Sequence, residues 1–413
     1  MYKLSNTIRP YPWGSLNAIA GLLGRKPSGG PEAELWIGAH LGAPSMVLSE
    51  GHSVPLNELI DQDPEQTLGT DSRAAFGDRL PFLLKVLAAD KALSLQVHPT
   101  LAQAAEGFQA EDAAGIPRDA ENRNYKDDNH KPEMIFALTP FDALCGFRPV
   151  TETLAIFRHL AERSDSDSGG FPALLSQVIN CLLNTDSSAA LRDAFELLIN
   201  GAETTTAAVN WSVTLLRSGV SKQPFEREFD TLLELNEQFP GDPGVLISLL
   251  LNRVKLSPGE CLSMPAGNVH AYLNGLGIEV MASSDNVLRG GLTTKFVDIP
   301  ELLRIVDFHE LPAPEVTASS TALGQELYIP GFNEFQLQRI TIQAGTEPVP
   351  LAQHGPVLVL ITEGAAFLDS PRGDLALAHG ESAFIAAAES PVLLHSQQGC
   401  TAFAVTTALS STV

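Results

Sequence analysis

The sequence predicts a mainly β protein interrupted by one α-helical insertion, and three observations carry that reading. Up to residue 150 the chain consists of short apolar runs broken by Gly, Pro and Asp. From Thr151 to Asn252 the apolar period lengthens to that of helices. After Lys255 strand-like runs resume and continue to the end. The expected division is a β-unit from 1–150 and 253–320, an inserted helical domain at 151–252, and a C-terminal β-unit at 321–413.

Taken in order, residues 80–98 read as a hairpin. Phe82-Leu83-Leu84-Lys85-Val86-Leu87 and Leu93-Ser94-Leu95-Gln96-Val97-His98 are its arms, with a turn near Asp90-Lys91. Residues 134–138 and 142–147 are two more strands. In the insertion, Leu154, Ile156, Phe157 and Leu160 form a helical stripe, as do Leu191, Ala194, Phe195, Leu197 and Leu198. Asp186-Ser187-Ser188 offers N-cap side chains to the second stripe. The run Leu232-Leu233-Glu234-Leu235 stops at Pro240-Gly241-Asp242-Pro243, and a further helix begins at Val245. The turn–strand–turn phrase from Ser257-Pro258-Gly259-Glu260 to Met264-Pro265-Ala266-Gly267 has a weaker echo at Ala378-His379-Gly380-Glu381 and Phe384-Ile385-Ala386-Ala387. The repeat predicts two related sandwiches or barrels, the second without a ligand set in the matching place.

Composition excludes several function classes. A hydrophobic share of 44% and a charged share of 18% are those of an ordinary globular core. With 49 acidic and 26 basic residues the net charge is −23, which repels nucleic acid and anionic membranes. An anionic ligand therefore needs a local cluster of Lys, Arg or backbone N–H groups. Cys145, Cys181, Cys261 and Cys400 lie far apart with no CxxC pair, which argues against a disulfide scaffold or a thiolate metal site. Met1-Tyr2-Lys3-Leu4-Ser5-Asn6 lacks the charged and apolar regions of a signal peptide, and no apolar run approaches the ~18 residues of a membrane span. A cytoplasmic monomer is expected.

Four elements bear chemistry. On a strand, Ser94, Gln96 and His98 share one face while Leu95 and Val97 enter the opposite layer. Asn129-His130-Lys131-Pro132-Glu133 places a carboxylate at a strand entrance, where Pro132 biases Lys131 toward extended geometry. In Met264-Pro265-Ala266-Gly267-Asn268-Val269-His270-Ala271-Tyr272, His270 and Tyr272 share a face, and a turn at Asn274-Gly275 leads to Glu279. Arg289-Gly290-Gly291 is a candidate anion site, because glycine allows close backbone approach. Alone, each has an ordinary alternative: a solvent-facing row, a surface charge, a structural histidine, a salt-bridged arginine. Together, Gln96, His98, Glu133 and His270 offer a divalent metal a mixed N/O set with bonds of about 2.0–2.2 Å and an open position. Zinc suits such a set, and so do other divalent ions.

These residues lie in phrases that resemble the type I phosphomannose isomerase (mannose-6-phosphate isomerase) family. The phrases are Tyr11-Pro12-Trp13-Gly14-Ser15, Ala33-Glu34-Leu35-Trp36-Ile37-Gly38, and residues 93–99, 129–134, 265–272 and 283–294. They occur in the family's order on both sides of the insertion. The resemblance implies cupin-type jelly-roll β-domains, one catalytic and one degenerate and C-terminal, with the helical domain inserted into the catalytic one. It implies one zinc ion per chain on Gln96, His98, Glu133 and His270, with Arg289 as the catalytic arginine. It also implies that Trp13, Ser94, Lys131, Tyr272, Arg289 and Lys295 line the substrate pocket, with Glu279 and Asp285 at further pocket positions. One departure stands out: the family often has a lysine soon after the His-Pro of the first motif, whereas Pro99 is followed by Thr100-Leu101-Ala102. The load of holding phosphate then falls on Lys131, Arg289 or Lys295.

The implied reaction is reversible interconversion of D-mannose 6-phosphate and D-fructose 6-phosphate through a cis-enediolate, by proton transfer between C2 and C1. Glu279 or Lys131 is the candidate base, and His130 or Asp285 the candidate aid to ring opening. Such a reaction serves either mannose activation toward GDP-mannose or entry of mannose into glycolysis. Other readings are an isomerase of another sugar phosphate, a non-catalytic metal-containing sugar-binding cupin, and a metal-dependent oxygenase. The last would favour a His-x-His/Glu/His set and redox-active iron.

Overall fold

The computed structural model describes residues 1–49, 52–164, 170–323 and 325–409. Its spine is the strand His270–Ala282, buried along nearly all its length. On one side this strand pairs antiparallel with Phe82–Ala89 and, further along, with Gln96–Val97. On the other it pairs with Phe141–Phe147 and then with Glu133–Ala137. Leu251–Leu256, Cys261–Met264, Leu288–Arg289, Glu34–Ile37 and Thr7–Arg9 complete a ten-stranded sheet.

Two local expectations are corrected here. The arms in 80–98 do not form a hairpin, because both pair with the same edge of His270–Ala282 rather than with each other. At the expected turn, the backbone N–H groups of Asp90 and Lys91 both donate to the Trp13 carbonyl. That anchor lets the chain step past Trp13 and run on in the same direction. The expected turn at Asn274-Gly275 is a β-bulge inside one continuous strand, marked by a register shift between Tyr272 and Asn274. Gly275 takes φ +130 there, and a Cβ at this position would lie 2.6 Å from the Phe141 ring. The extra residue changes which side chains share a face. His270 and Tyr272 precede it, so the odd-numbered Glu279 and Met281 after it point the same way.

Helices Val150–Glu162, Ala173–Leu182, Ser187–Asn200, Ala202–Arg217 and Glu226–Gln238 occupy the middle of the chain. Asp186 caps the third, its carboxylate accepting from the Ser188 and Ala189 N–H groups. Their apolar stripes, with Phe157, Leu160, Phe195, Leu198 and Leu216, share one core with Leu95, Val97, Leu144, Phe147 and Leu288 of the sheet. This packing turns Leu95 and Val97 toward the helices, which leaves Gln96 facing away from them.

A nine-stranded sheet contains Glu326–Tyr328, Gln336–Ile342, Val357–Gly364, Ser382–Ile385 and Cys400–Thr406. It also takes in Tyr2–Ser5, Met46–Ser49 and His52–Pro55, so the amino-terminal segment contributes strands to both large sheets. Tyr2–Ser5 covers the edge that Ser382–Ile385 would otherwise expose. One face of this sheet packs on the ten-stranded sheet through Leu84, Phe136, Leu358, Phe384 and Phe403. The other packs through Val359, Ile361 and Ile385 on Leu368 and Leu394 of a four-stranded sheet. The result is a mainly β protein with an inserted helical block. Among the described residues no helix is long and apolar enough to cross a membrane.

Candidate metal centre and active site

The site grows out of the pairing pattern. Gln96 is the direct cross-strand partner of His270 on one side and of Arg289 on the other. Residues paired this way in adjacent strands project on the same face. Glu133 pairs with Met281 at the far end of the spine, and its side chain lies within reach of both His98 and His270. His98, Glu133 and His270 are all buried, and their nearest ligand atoms lie within 4.8 Å of one another.

The hydrogen bonds around these groups fix their chemistry. His98 Nδ1 donates to the Asn286 carbonyl at 2.8 Å, and His270 Nδ1 donates to the Asn268 carbonyl at 3.1 Å. A carbonyl only accepts, so Nδ1 carries a proton in both rings, and wherever the ring is neutral Nε2 presents a lone pair. Burial, joined by the Lys131 charge, pushes His98 down to about 4 and keeps it neutral near pH 7. Among the described residues its buried Nε2 has no hydrogen-bond partner. It faces Glu133 Oε1 at 3.4 Å, while His270 Nε2 faces Oε2 at 3.3 Å. With both rings neutral, two lone pairs converge on a carboxylate that also only accepts. Such a set fits a divalent cation held between them, with backbone carbonyls orienting each imidazole from behind.

Charge around the set is arranged in layers. Lys131 Nζ lies 2.7 Å from Glu133 Oε1. Burial alone would raise the Glu133 carboxyl, but the Lys131 ammonium holds it well below the usual carboxylate range. Glu279 is raised, first by burial and also by Glu133 and Glu34, against the pull of Lys85. Tyr272 is buried beside Glu279 and is raised by both causes. Burial lowers Arg289, which has no ion-pair partner among the described residues. Lys295 is lowered by burial and then by the nearby charges of Arg289 and Lys126. Cations gathered without a carboxylate leave room for an anion of the ligand.

The remaining expected residues fall into two groups. Trp13, stacked on Tyr11 at 5.7 Å, packs against the cluster that contains Leu93 and Tyr272. Ser94 lies between Leu93, whose N–H donates to the Tyr272 carbonyl, and Leu95, whose N–H donates to that of Gly291. His130 and Asp285 are tied to partners outside the ligand cluster. His130 Nε2 lies 2.5 Å from Glu334 Oε1, and Asp285 Oδ1 lies 3.5 Å from His40 Nε2.

Lys85, Glu34, Trp36 and His40 were not assigned roles from the sequence. Lys85 Nζ is 2.9 Å from Glu279 Oε2, 3.8 Å from Glu34 Oε1 and 5.2 Å from the Trp36 ring centroid. Trp36 Nε1 donates to Glu34 Oε2 at 2.7 Å. The available signal was a single charge inside the wholly apolar run Phe82-Leu83-Leu84-Lys85-Val86-Leu87, since lysine is rarely buried unpaired. Glu334 carried no comparable signal.

Comparison with known proteins supplies a context. Residues 1–150 match the catalytic domain of phosphomannose isomerase type I. The chain is 41% identical over 399 residues to mannose-6-phosphate isomerase of Escherichia coli, covering 95% of this chain and 96% of that protein. It is 31% identical over 413 residues to the Rattus norvegicus mannose-6-phosphate isomerase, covering 95% of each. A crystal structure of a phosphomannose isomerase variant from Salmonella typhimurium superposes with TM-score 0.88 at 36% identity, covering 99% of this chain and 100% of that one. A zinc-bound mannose 6-phosphate isomerase superposes with TM-score 0.86 at 35% identity, covering 99% of both chains.

Proposed function

Because this chain belongs to the type I phosphomannose isomerase family, we propose that it interconverts D-mannose 6-phosphate and D-fructose 6-phosphate at one zinc ion held by Gln96, His98, Glu133 and His270. The observation that carries the ligand assignment is the meeting of two imidazole lone pairs with the Glu133 carboxylate, an arrangement that calls for a cation. When bound, the metal supplies Lewis-acid polarisation of the sugar oxygens at C1 and C2.

The chain's own groups do the rest. Glu279 is the base that takes the C2 proton and returns it to C1, since its raised carboxyl is poised for reversible transfer. Lys85 holds the Glu279 carboxylate in place and balances its charge while it is unprotonated. Tyr272 packs beside it and keeps water from that face. Arg289 opposes the negative charge of the enediolate with a fixed positive one. Lys295, which lies near both Arg289 and Lys126, receives the phosphate with them in place of the lysine absent after Pro99. Lys131 balances Glu133. Asp285, half-exposed and facing His40, is the group that assists ring opening. Trp13 and Ser94 line the sugar side of the pocket.

The chain acts as a cytoplasmic monomer in this reading. Its four unbridged cysteines fit a reducing compartment. The test is a coupled assay of fructose 6-phosphate formation from mannose 6-phosphate, run on chelated and zinc-restored protein. Activity lost with chelator and recovered with zinc is the expected result. Well-folded, zinc-loaded protein that does not turn over this substrate refutes the assignment.

A further inference from the structure

We propose that Glu334, contributed by the C-terminal half of the chain, is a positioning residue of the metal centre that acts through His130. The inference rests on the functional reading above and extends it to a segment that carries no candidate ligand.

His130 Nε2 lies 2.5 Å from Glu334 Oε1 across 204 residues of sequence, and both side chains are largely buried, 21% and 13% exposed. Among the described residues neither has another ion-pair partner. The carboxylate accepts and Nε2–H donates, a charge-assisted bond in a partly desolvated place. Glu334 is held firmly, since the adjacent Phe335 is fully buried in the core shared by the two large sheets.

The other end of the bond matters for the metal. Lys131 and Glu133 lie two residues apart and meet on one face, Nζ to Oε1 at 2.7 Å. In extended chain His130 then leaves from the opposite face, which is where Glu334 meets it. The segment 129–133 is therefore gripped from two sides. On one, the Asn129 amide donates to the Ser283 carbonyl, and the Asn129 carbonyl accepts from Ser284 Oγ and Asn286 Nδ2. The same Asn286 accepts the His98 Nδ1–H through its own carbonyl. On the other side, among the described residues, the only side-chain grip is His130 on Glu334. Releasing it leaves the segment that aims Glu133 and Lys131 secured from one side alone. The C-terminal β-unit then has a part in catalysis: it fixes the back of a strand entrance whose front holds the metal.

The experiment uses the full chain as wild type, Glu334→Ala, Glu334→Gln, His130→Gln and the Glu334→Ala/His130→Gln double variant. Zinc affinity of the chelated protein is measured by competition with a chromophoric chelator, alongside kcat, KM and melting temperature. Loss of a group that orients a metal ligand from behind typically costs about 10–100-fold in metal affinity or activity. Glu334→Ala is expected to weaken zinc binding and lower kcat by about tenfold. Glu334→Gln, whose amide oxygen still accepts from Nε2–H, retains most of both. The double variant is no worse than either single loss, because both remove one contact. Unchanged zinc affinity and kcat in Glu334→Ala would overturn the proposal. So would losses that track the melting temperature and add in the double variant. If wild-type protein binds zinc but does not isomerise mannose 6-phosphate, the functional reading fails, and the affinity arm still decides the role of Glu334.

Discussion

Lys85 and Glu279 are direct cross-strand partners, with Nζ 2.9 Å from Oε2 and side chains only 6% and 3% exposed. Glu34 approaches the same ammonium at 3.8 Å. Burial works against the charge on Lys85, but Glu279, Glu34 and Glu133 more than offset it and keep the amine protonated. Removing one partner of a buried pair typically costs about 3–5 kcal/mol, because the other is left uncompensated. Lys85→Met is therefore expected to lower the melting temperature and to reduce kcat sharply, with Glu279 driven toward its protonated form. Unchanged kcat in this variant would remove Glu279 from the proton transfer.

Zinc is expected to stabilise the fold as well as to serve the reaction. A ligand that binds only the native state at about 1,000 times its dissociation constant adds about 4 kcal/mol. Chelation should thus lower the melting temperature of the wild-type chain, and readdition of zinc should restore it. His98→Ala, lacking one of the converging lone pairs, should show neither bound zinc nor that shift. Full metal content in His98→Ala would contradict the ligand assignment.

On the proposed mechanism, Arg289 is the residue at which chemistry and metal binding should separate. Its guanidinium has no carboxylate partner among the described residues, so its removal leaves no orphaned acid behind. Arg289→Ala is expected to keep its zinc while losing about 10²–10³ in kcat, the usual cost of deleting one preorganised charge-stabilising group. Parallel loss of zinc and turnover, measured on the same preparation, would instead mark it as structural.

Gly275 tests the bulge. At φ +130 a side chain is strained, and a Cβ would meet the Phe141 ring at 2.6 Å. Gly275→Val should cost about 1–3 kcal/mol of stability. It should also depress activity by disturbing the face that Glu279 shares with His270. A variant as active and as stable as wild type would show that the strand tolerates another path.

Much of the site was legible in the sequence because it depends on local geometry. Period-2 alternation assigns Gln96 and His98 to one face and Leu95 and Val97 to the other. The buried positions of Leu95 and Val97 in the core shared with the helices agree with that assignment. The helical stripes and the Asp186 cap were equally local. Contacts that depend on register were not legible. Lys85 and Glu279 meet only because two strands nearly 200 positions apart align at that step, and Glu279 faces His270 only because of a one-residue bulge.

The sequence by itself determined the strand–helix–strand order and offered the candidate ligand residues and a candidate anion-binding arginine, since each is encoded in a few neighbouring side chains. The tertiary structure alone decided that His130 meets Glu334, 204 residues away in sequence, and that the amino-terminal strands belong to both sheets. It also decided that the two arms of an expected hairpin lie along one edge of the spine, and that an expected turn is a bulge within it. The reason is physical. Backbone periodicity specifies directions within an element, whereas the partners met along those directions are set by long-range packing of buried edges and faces.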